Sequence, residues 1–205
     1  TIERNSVAMA QLIEDLLDMS RVISGKMRLE VQPLDLVKVV QAAIESIRPA
    51  AAAKEITLSA TLEPATAATT MMGDSTRLQQ VAWNLLSNAV KFTPKHGRVQ
   101  VSLLRVGSAL ELRVEDSGRG IDPSFVPHVF EAFRQEDASA SRSRGGLGLG
   151  LAITRQLVEL HGGQISAHSE GEGRGARFVV SLPVAPLAEH PEESRHAVRG
   201  LSEIA

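Results

Sequence analysis

The stretch Gln80-Val81-Ala82-Trp83-Asn84-Leu85-Leu86-Ser87-Asn88-Ala89-Val90-Lys91-Phe92-Thr93 carries two patterns at once. Leu78, Val81, Leu85 and Ala89 recur at helical spacing and mark a buried stripe. Asn84, Asn88 and Lys91 lie four and three residues apart, so they stack on one face beside that stripe. Asp74 is placed as an N-cap, and Pro94 to Gly97 break the pattern, which predicts a long helix ending near Phe92. Amide oxygens are hard ligands of the kind Mg²⁺ takes together with waters and phosphates, and lysine is a point charge for phosphate. One such triplet alone is more often a solvated helix face, so the neighbouring segments have to decide.

Downstream, two apolar stretches over 99–106 and 110–114 flank the turn-prone Gly107 and Ser108, which predicts a β-hairpin that delivers Asp116 at its end. Asp116-Ser117-Gly118-Arg119-Gly120-Ile121-Asp122 follows directly. A carboxylate at a strand end can accept a hydrogen bond from the exocyclic amine of adenine, and Gly118 and Gly120 let the backbone come close to the ring. Residues 133–145 have no apolar period and read as a functional loop. It ends in Gly145-Gly146-Leu147-Gly148-Leu149-Gly150-Leu151, glycines running into a helix expected over 149–160, whose free N–H groups suit phosphate oxygens. No Lys-Ser or Lys-Thr follows the glycines and no strand precedes them, which excludes a Walker loop and a dinucleotide fingerprint.

Upstream, Ile2, Asn5, Met9, Leu12, Leu16, Met19 and Ile23 repeat at alternating three and four residues, the seam of a coiled coil or bundle, with Gly25 placed to end the helix. A strand is expected over 28–31, then a helix capped by Asp35 and running to about Ala53, then a strand carrying Ile56, Leu58, Ala60 and Leu62. Two last strands are expected around 164–168 and 177–182, and the Glu-, Pro- and His-rich tail reads as a linker. The alternation implies an α/β (α+β) two-layer sandwich, one sheet covered on one face by helices and preceded by one long helix.

Composition sets the outer bounds. The 205 residues are 43 % apolar, enough for a core, and 22 basic against 24 acidic residues give a net charge of −2 with no footprint for nucleic acid or an anionic membrane. Cysteine is absent, so disulfides and thiolate metal sites are excluded. No apolar run reaches the roughly 20 residues that span a bilayer. Thr1 opens on a helical pattern already under way, so the chain is expected to be a piece of a longer, cytoplasmic segment whose parent is open to membrane anchoring upstream.

The order and spacing of these motifs resemble those of the sensor histidine kinases of two-component systems. Residues 80–93 look like the family's asparagine box, 116–122 like its first glycine box, Val129-Phe130-Glu131-Ala132-Phe133-Arg134-Gln135 like its phenylalanine box and 146–153 like its second glycine box. Ile13-Glu14-Asp15-Leu16-Leu17-Asp18-Met19-Ser20-Arg21 resembles the second helix of the family's dimerisation and phosphotransfer hairpin. The resemblance implies the fold of gyrase-type, chaperone and mismatch-repair ATPases (the GHKL or Bergerat type). It divides the chain into residues 1–25, the second hairpin helix without the first; 28–184, the ATP-binding catalytic domain; and 185–205, a linker.

By the same resemblance the cofactors are ATP and Mg²⁺. Asn88 is the principal Mg²⁺ ligand and Asn84 a second candidate, with Lys91 near the phosphates. Asp116 reads adenine within a site that also takes in Gly118, Gly120, Ile121, Gly146, Leu147, Gly148, Leu149 and Gly150. Phe130 and Phe133 anchor the lid, and Arg142 and Arg144 are further phosphate candidates against a solvated-loop alternative. The implied partners are a hairpin carrying the acceptor histidine, a response regulator receiver domain and, in the parent, a second copy in a homodimer.

Two features depart from the family pattern. None of His96, His128, His161, His168, His190 or His196 stands in the family's histidine box, so no self-phosphorylation at the usual site is expected and no catalytic residue is assigned within the chain. The third glycine box, 171–178, has Ala176 where a hydroxyl is common, removing a contact of about 1 kcal/mol. His161 reads as a helix-end residue and Trp83 as packing. The enzymatic reading stands beside an alternative, a nucleotide-binding or degenerate interaction module without kinase activity.

Overall fold

A computed structural model describes residues 27–62, 69–136 and 147–184, together with Ile13, Leu16, Leu17, Asp18, Ser20 and Arg21 of the first helix. Gly25, the tail 185–205 and the remaining seam positions Ile2, Asn5, Met9, Leu12, Met19 and Ile23 lie outside the described residues.

The chain order is β1 (Gln32–Asp35), α1 (Leu36–Ala53), β2 (Thr57–Leu62), β3 (Thr70–Gly73), α2 (Ser75–Phe92), β4 (Arg98–Val106), β5 (Ala109–Asp116), α3 (Gly150–Leu160), β6 (Gln164–His168) and β7 (Ala176–Pro183). Five strands form a mixed sheet in the order β2-β4-β5-β7-β6, with β2 parallel to β4 and the other pairs antiparallel. Alternation decides which face the helices cover. Val99, Val101 and Leu103, Leu110, Leu112 and Val114, and Phe178, Val180 and Leu182 are all buried. The other face carries ion pairs, Arg113 to Glu111 at 2.6 Å and Arg177 to Glu115 at 2.7 Å. The helices contribute Val40, Ala43 and Ile44 of α1, Leu78, Val81 and Leu85 of α2 and Ile153, Leu157 and Val158 of α3 to the same core.

The strand expected over 28–31 lies slightly later, at Gln32–Asp35, and contains Pro33. Proline is tolerated there because β1 pairs only with β3, Pro33 opposite Met72, and needs no ladder donor on its open side. Strand β3 was not foreseen, since Thr-Met-Met-Gly is too short to show a period.

Asp74 joins four segments. Its Oδ1 accepts the Arg77 N–H at 3.1 Å and caps α2, and its Oδ2 accepts the Glu30 N–H at 3.0 Å. Its own N–H donates to Nε2 of His161 at 3.0 Å. Nδ1 of that ring lies 2.7 Å from the Leu157 carbonyl, which can only accept, so the ring proton sits on Nδ1. His161 therefore closes the C-terminus of α3 and ties it to the start of α2, the helix-end role expected of it.

The first helix meets the domain at the same end of α2. Asp18, 6 % exposed, accepts from Arg77 Nη1 at 2.8 Å and Gln80 Nε2 at 3.0 Å, while Ile13, Leu16 and Leu17 face solvent.

Replacing Asp74 by alanine removes the cap and strands the Glu30 N–H, at an expected cost on the order of 2 kcal/mol. Urea unfolding followed by Trp83 fluorescence measures it, and a loss below about 0.5 kcal/mol contradicts the role given to this carboxylate.

Candidate functional site

The register of β5 against β7 sets Asp116 opposite Ala176, where the strand ends and the 117–122 turn begins. Burial pushes the Asp116 carboxyl above the ordinary aspartate range, opposed by the backbone N–H groups of Gly118 and Ala176. The Gly118 N–H reaches Oδ1 at 2.7 Å. A half-buried carboxylate held by two backbone donors is a fixed acceptor with a set direction.

The turn is sewn to the loop that precedes β7. Gly173 N–H donates to the Arg119 carbonyl at 2.6 Å and Gly175 N–H to the Gly118 carbonyl at 3.1 Å. Ser169 Oγ accepts the Ile121 N–H at 3.0 Å and donates to the Gly175 carbonyl at 2.7 Å. Gly120, at φ +74°, has no room for a Cβ, which would run into the Gly171 carbonyl oxygen; at Gly118 a Cβ would lie 2.7 Å from the Phe92 carbonyl oxygen. Both glycines are thus required by the chain's own backbone, a reason separate from the close approach to a ring expected of them. Ser169 carried no signal in the sequence, being one serine after a strand.

On α2, Asn84 is buried and ties the helix to α3, its Nδ2 donating to the Gly150 carbonyl and to Thr154 Oγ1, each at 3.3 Å. Asn88, one turn on, is half-buried, and no described residue is bonded to its side chain. Lys91 comes next, its ammonium 5.1 Å from the centre of the Phe92 ring, with the Arg119 guanidinium 4.7 Å from the same centre. The end of the helix is held by Lys54, whose Nζ donates to the carbonyls of Val90 at 2.7 Å, Lys91 at 3.1 Å and Thr93 at 2.6 Å.

The glycine segment meets this face through Gly150. Leu149 is buried and Leu147 exposed, Gly148 takes φ +71° against the Arg134 carbonyl, and no side chain caps α3. The two roots of the intervening tract meet where the Phe133 N–H donates to the Gly148 carbonyl at 3.1 Å. Phe130 sits edge-on to Phe178 with ring centres 6.2 Å apart, whereas the Phe133 side chain is 62 % exposed. Of the two rings named as lid anchors, Phe130 packs on Phe178, while Phe133 bonds Gly148 through its backbone N–H. Gly146, Arg142 and Arg144 lie outside the described residues.

A cavity of about 590 Å³, lined by Arg119, Gly120, Asp122, Phe125, Glu136 and Gly173 among others, opens beside the Asp116 turn and shares only Gly120 with the expected set. Glu136 bridges its rim, 2.9 Å from Arg119 and accepting the Asp122 N–H at 2.6 Å. Among the described residues no cluster of three or more His, Asp or Glu side chains could hold a metal. Asn88, whose side chain is bonded to no described residue, offers an amide oxygen, the kind of donor Mg²⁺ takes together with waters and phosphates.

Residues 73–186 match the family described as histidine kinase-, DNA gyrase B- and HSP90-like ATPase. The chain belongs to this ATPase family. Within the family its relatives are histidine kinases. It is 38 % identical to the hybrid signal transduction histidine kinase D of Dictyostelium discoideum over 90 % of its own length and 14 % of that protein's. It is 40 % identical to the circadian input-output histidine kinase CikA of Synechococcus elongatus over 93 % of its length and 25 % of that protein's. The chain thus spans a quarter or less of these two relatives.

Full-length ShkA in complex with AMPPNP superposes with a TM-score of 0.74 at 30 % identity, covering 86 % of this chain and 36 % of that one. The mycobacterial sensor histidine kinase MprB gives 0.66 at 32 % identity, covering 77 % of this chain and 99 % of that one. The mixed sheet under its helices is accordingly the catalytic ATP-binding domain of the histidine kinase type.

The raised Asp116 carboxyl makes a prediction for this ATPase domain. The folded state holds that proton more tightly than the unfolded chain, so the favourable contribution is present below the usual aspartate range, about pH 4, and lost as pH rises through the higher native value. Asp116→Asn removes the cost of the buried charge while keeping an acceptor for Gly118. At pH 7 its melting temperature is expected to equal or exceed that of the wild type, and the advantage should vanish near pH 4. A variant less stable than wild type at pH 7, by a margin unchanged at pH 4, contradicts this.

Proposed function

We propose that the chain binds ATP with Mg²⁺ and supplies the γ-phosphoryl group for phosphorylation of a histidine in a two-component signalling kinase. The observation that carries this reading is the Asn84 to Gly150 contact, which lays the asparagine face against the uncapped start of α3. Donors suited to phosphate and cation are thereby gathered beside one helix end, with Asp116 at the close of the neighbouring strand.

In this reading Asp116 accepts from the exocyclic amine of adenine, and guanine, with a carbonyl there, is rejected. The N–H groups at the start of α3, with Leu147, Gly148, Leu149 and Gly150 shaping the approach, receive phosphate oxygens, and Lys91 adds a positive charge. Asn88 holds the cation and Asn84 stands next to it. Bound Mg²⁺ supplies charge neutralisation on the phosphates. The chain's own contribution is to position and to exclude water, since phosphoryl transfer asks mainly for alignment and electrostatic support.

The acceptor histidine comes from a partner hairpin, because none of the chain's six histidines has the required context. We divide the chain as residues 1–25 of a hairpin helix, 28–184 of the ATP-binding domain and 185–205 of a linker. A receiver domain downstream, a homodimeric parent and a cytoplasmic setting follow from the same reading. The Dictyostelium relative being a hybrid kinase supports the receiver, and no described helix is long and apolar enough to cross a membrane.

Titration with a fluorescent ATP analogue tests this. Wild type should bind more tightly with Mg²⁺ than with EDTA, and Asn88→Ala should lose about tenfold of the Mg²⁺-dependent affinity, or roughly 1.4 kcal/mol. With radiolabelled ATP the wild type should label an isolated cognate hairpin in trans and leave itself unlabelled. Tight nucleotide binding with no transfer to that hairpin reduces the chain to a nucleotide-responsive binding module.

A further inference from the structure

Thr154 lies on the second turn of α3, entirely buried, and its hydroxyl does two things. It donates to the Gly150 carbonyl at 2.8 Å, the usual resting place of a helical threonine hydroxyl. It also lies 3.3 Å from Nδ2 of Asn84 on the neighbouring helix. With its proton committed to Gly150, the hydroxyl oxygen faces Asn84 as an acceptor. The second partner of that amide, the Gly150 carbonyl at 3.3 Å, can only accept. Both neighbours demand N–H from Asn84, and together they settle which way its carboxamide is turned.

The amide oxygen stays beside the start of α3, 3.9 Å from where a Gly150 Cβ would sit, the same distance as Nδ2. No described residue donates to it, and every fully buried side-chain nitrogen or oxygen among the described residues has a partner. Oδ1 of Asn84 is therefore not fully enclosed, and beside the start of α3 it is left to a partner from outside the described residues.

We infer that Thr154 is a positioning residue for the nucleotide's cation: by accepting from Asn84 Nδ2 it turns the Asn84 carbonyl oxygen toward the metal and phosphate side of the site. This rests on the nucleotide reading given above. Without the hydroxyl, only the Gly150 carbonyl still holds the NH₂ inward, and the flipped amide, which presents a donor where a cation needs an oxygen, gains population. Gly150 contributes by letting α3 come close, since a Cβ there would sit 3.9 Å from the Asn84 amide atoms.

The test uses the full 205-residue chain. Affinity for a fluorescent ATP analogue is measured with Mg²⁺ and with EDTA for wild type, Thr154→Val and Thr154→Ser, alongside thermal melts. Valine fills the same volume without the hydroxyl, and serine restores it. Thr154→Val should weaken Mg²⁺-dependent binding about fivefold, the effect of one net hydrogen bond, and leave binding in EDTA within about twofold of wild type. Thr154→Ser should return the Mg²⁺ value to near wild type even if its melting temperature falls.

Equal weakening with Mg²⁺ and with EDTA would overturn the inference and leave Thr154 a packing residue. So would an unchanged Mg²⁺ affinity in the valine variant, showing that Gly150 alone holds the amide. A wild type that binds identically with and without Mg²⁺ brings down the cation reading itself, and that failure is visible before any variant is made.

Discussion

Helix α2 has both ends inside the protein, and everything that could serve chemistry hangs on how those ends are satisfied. A helix leaves N–H groups unpaired at its start and carbonyls unpaired at its finish, and neither can be left dry without cost. At the start, Asp74 accepts from Arg77 and Glu30 while its own N–H is taken by His161. At the finish, Lys54 gives its ammonium to the carbonyls of Val90, Lys91 and Thr93, and the Phe92 carbonyl takes the Arg119 N–H at 3.3 Å. A cation at a C-terminus also suits the negative end of the helix dipole. Because the partners come from α1, α3 and the Asp116 turn, closing the ends of α2 also fixes where those elements stand. The asparagine face is consequently aimed by contacts far from it.

Asp116 follows the opposite logic. A carboxylate at this depth is costly, and the N–H groups of Gly118 and Ala176 only partly offset the loss of water. A neutral residue could serve the fold as well or better. In the proposed function an external donor, the exocyclic amine of adenine, completes its shell. The surrounding turn keeps the group in place: Ser169, Gly173 and Gly175 cross-link it to the loop before β7. Ala176 contributes through its backbone N–H, which any non-proline residue there would supply.

Much of this was legible from residue order. The 3.6-residue stripe of Leu78, Val81, Leu85 and Ala89, with Asp74 before it, fixed α2 to within a residue, and Gly107-Ser108 marked the hairpin. These signals are local, and local geometry enforces them. The missed parts are contacts between distant segments. Nothing near Lys54 announces that it will reach Thr93, and nothing in Asp18 announces Arg77, since each depends on a fold that brings them together. The two phenylalanines show the same limit: Phe130 and Phe133 read alike in the sequence, yet only one finds the Phe178 edge. Thr154 carries no signal of its own within the helix expected over 149–160, because its second partner lies 70 residues away.

The Asn84 contact also bears on why the face carries amides and not carboxylates. Two carboxylates would bind a divalent cation more strongly, and a cation site built from charge alone would favour them. Position 84, however, must donate toward α3, where the Gly150 carbonyl and an already committed Thr154 hydroxyl both wait to accept. An ionised aspartate has no proton to give and would set oxygen against oxygen in a buried place. A side chain that donates through nitrogen, as an amide does, meets both acceptors of α3. Under the proposed function an amide there has a further merit: it joins the helices without adding negative charge beside the phosphates.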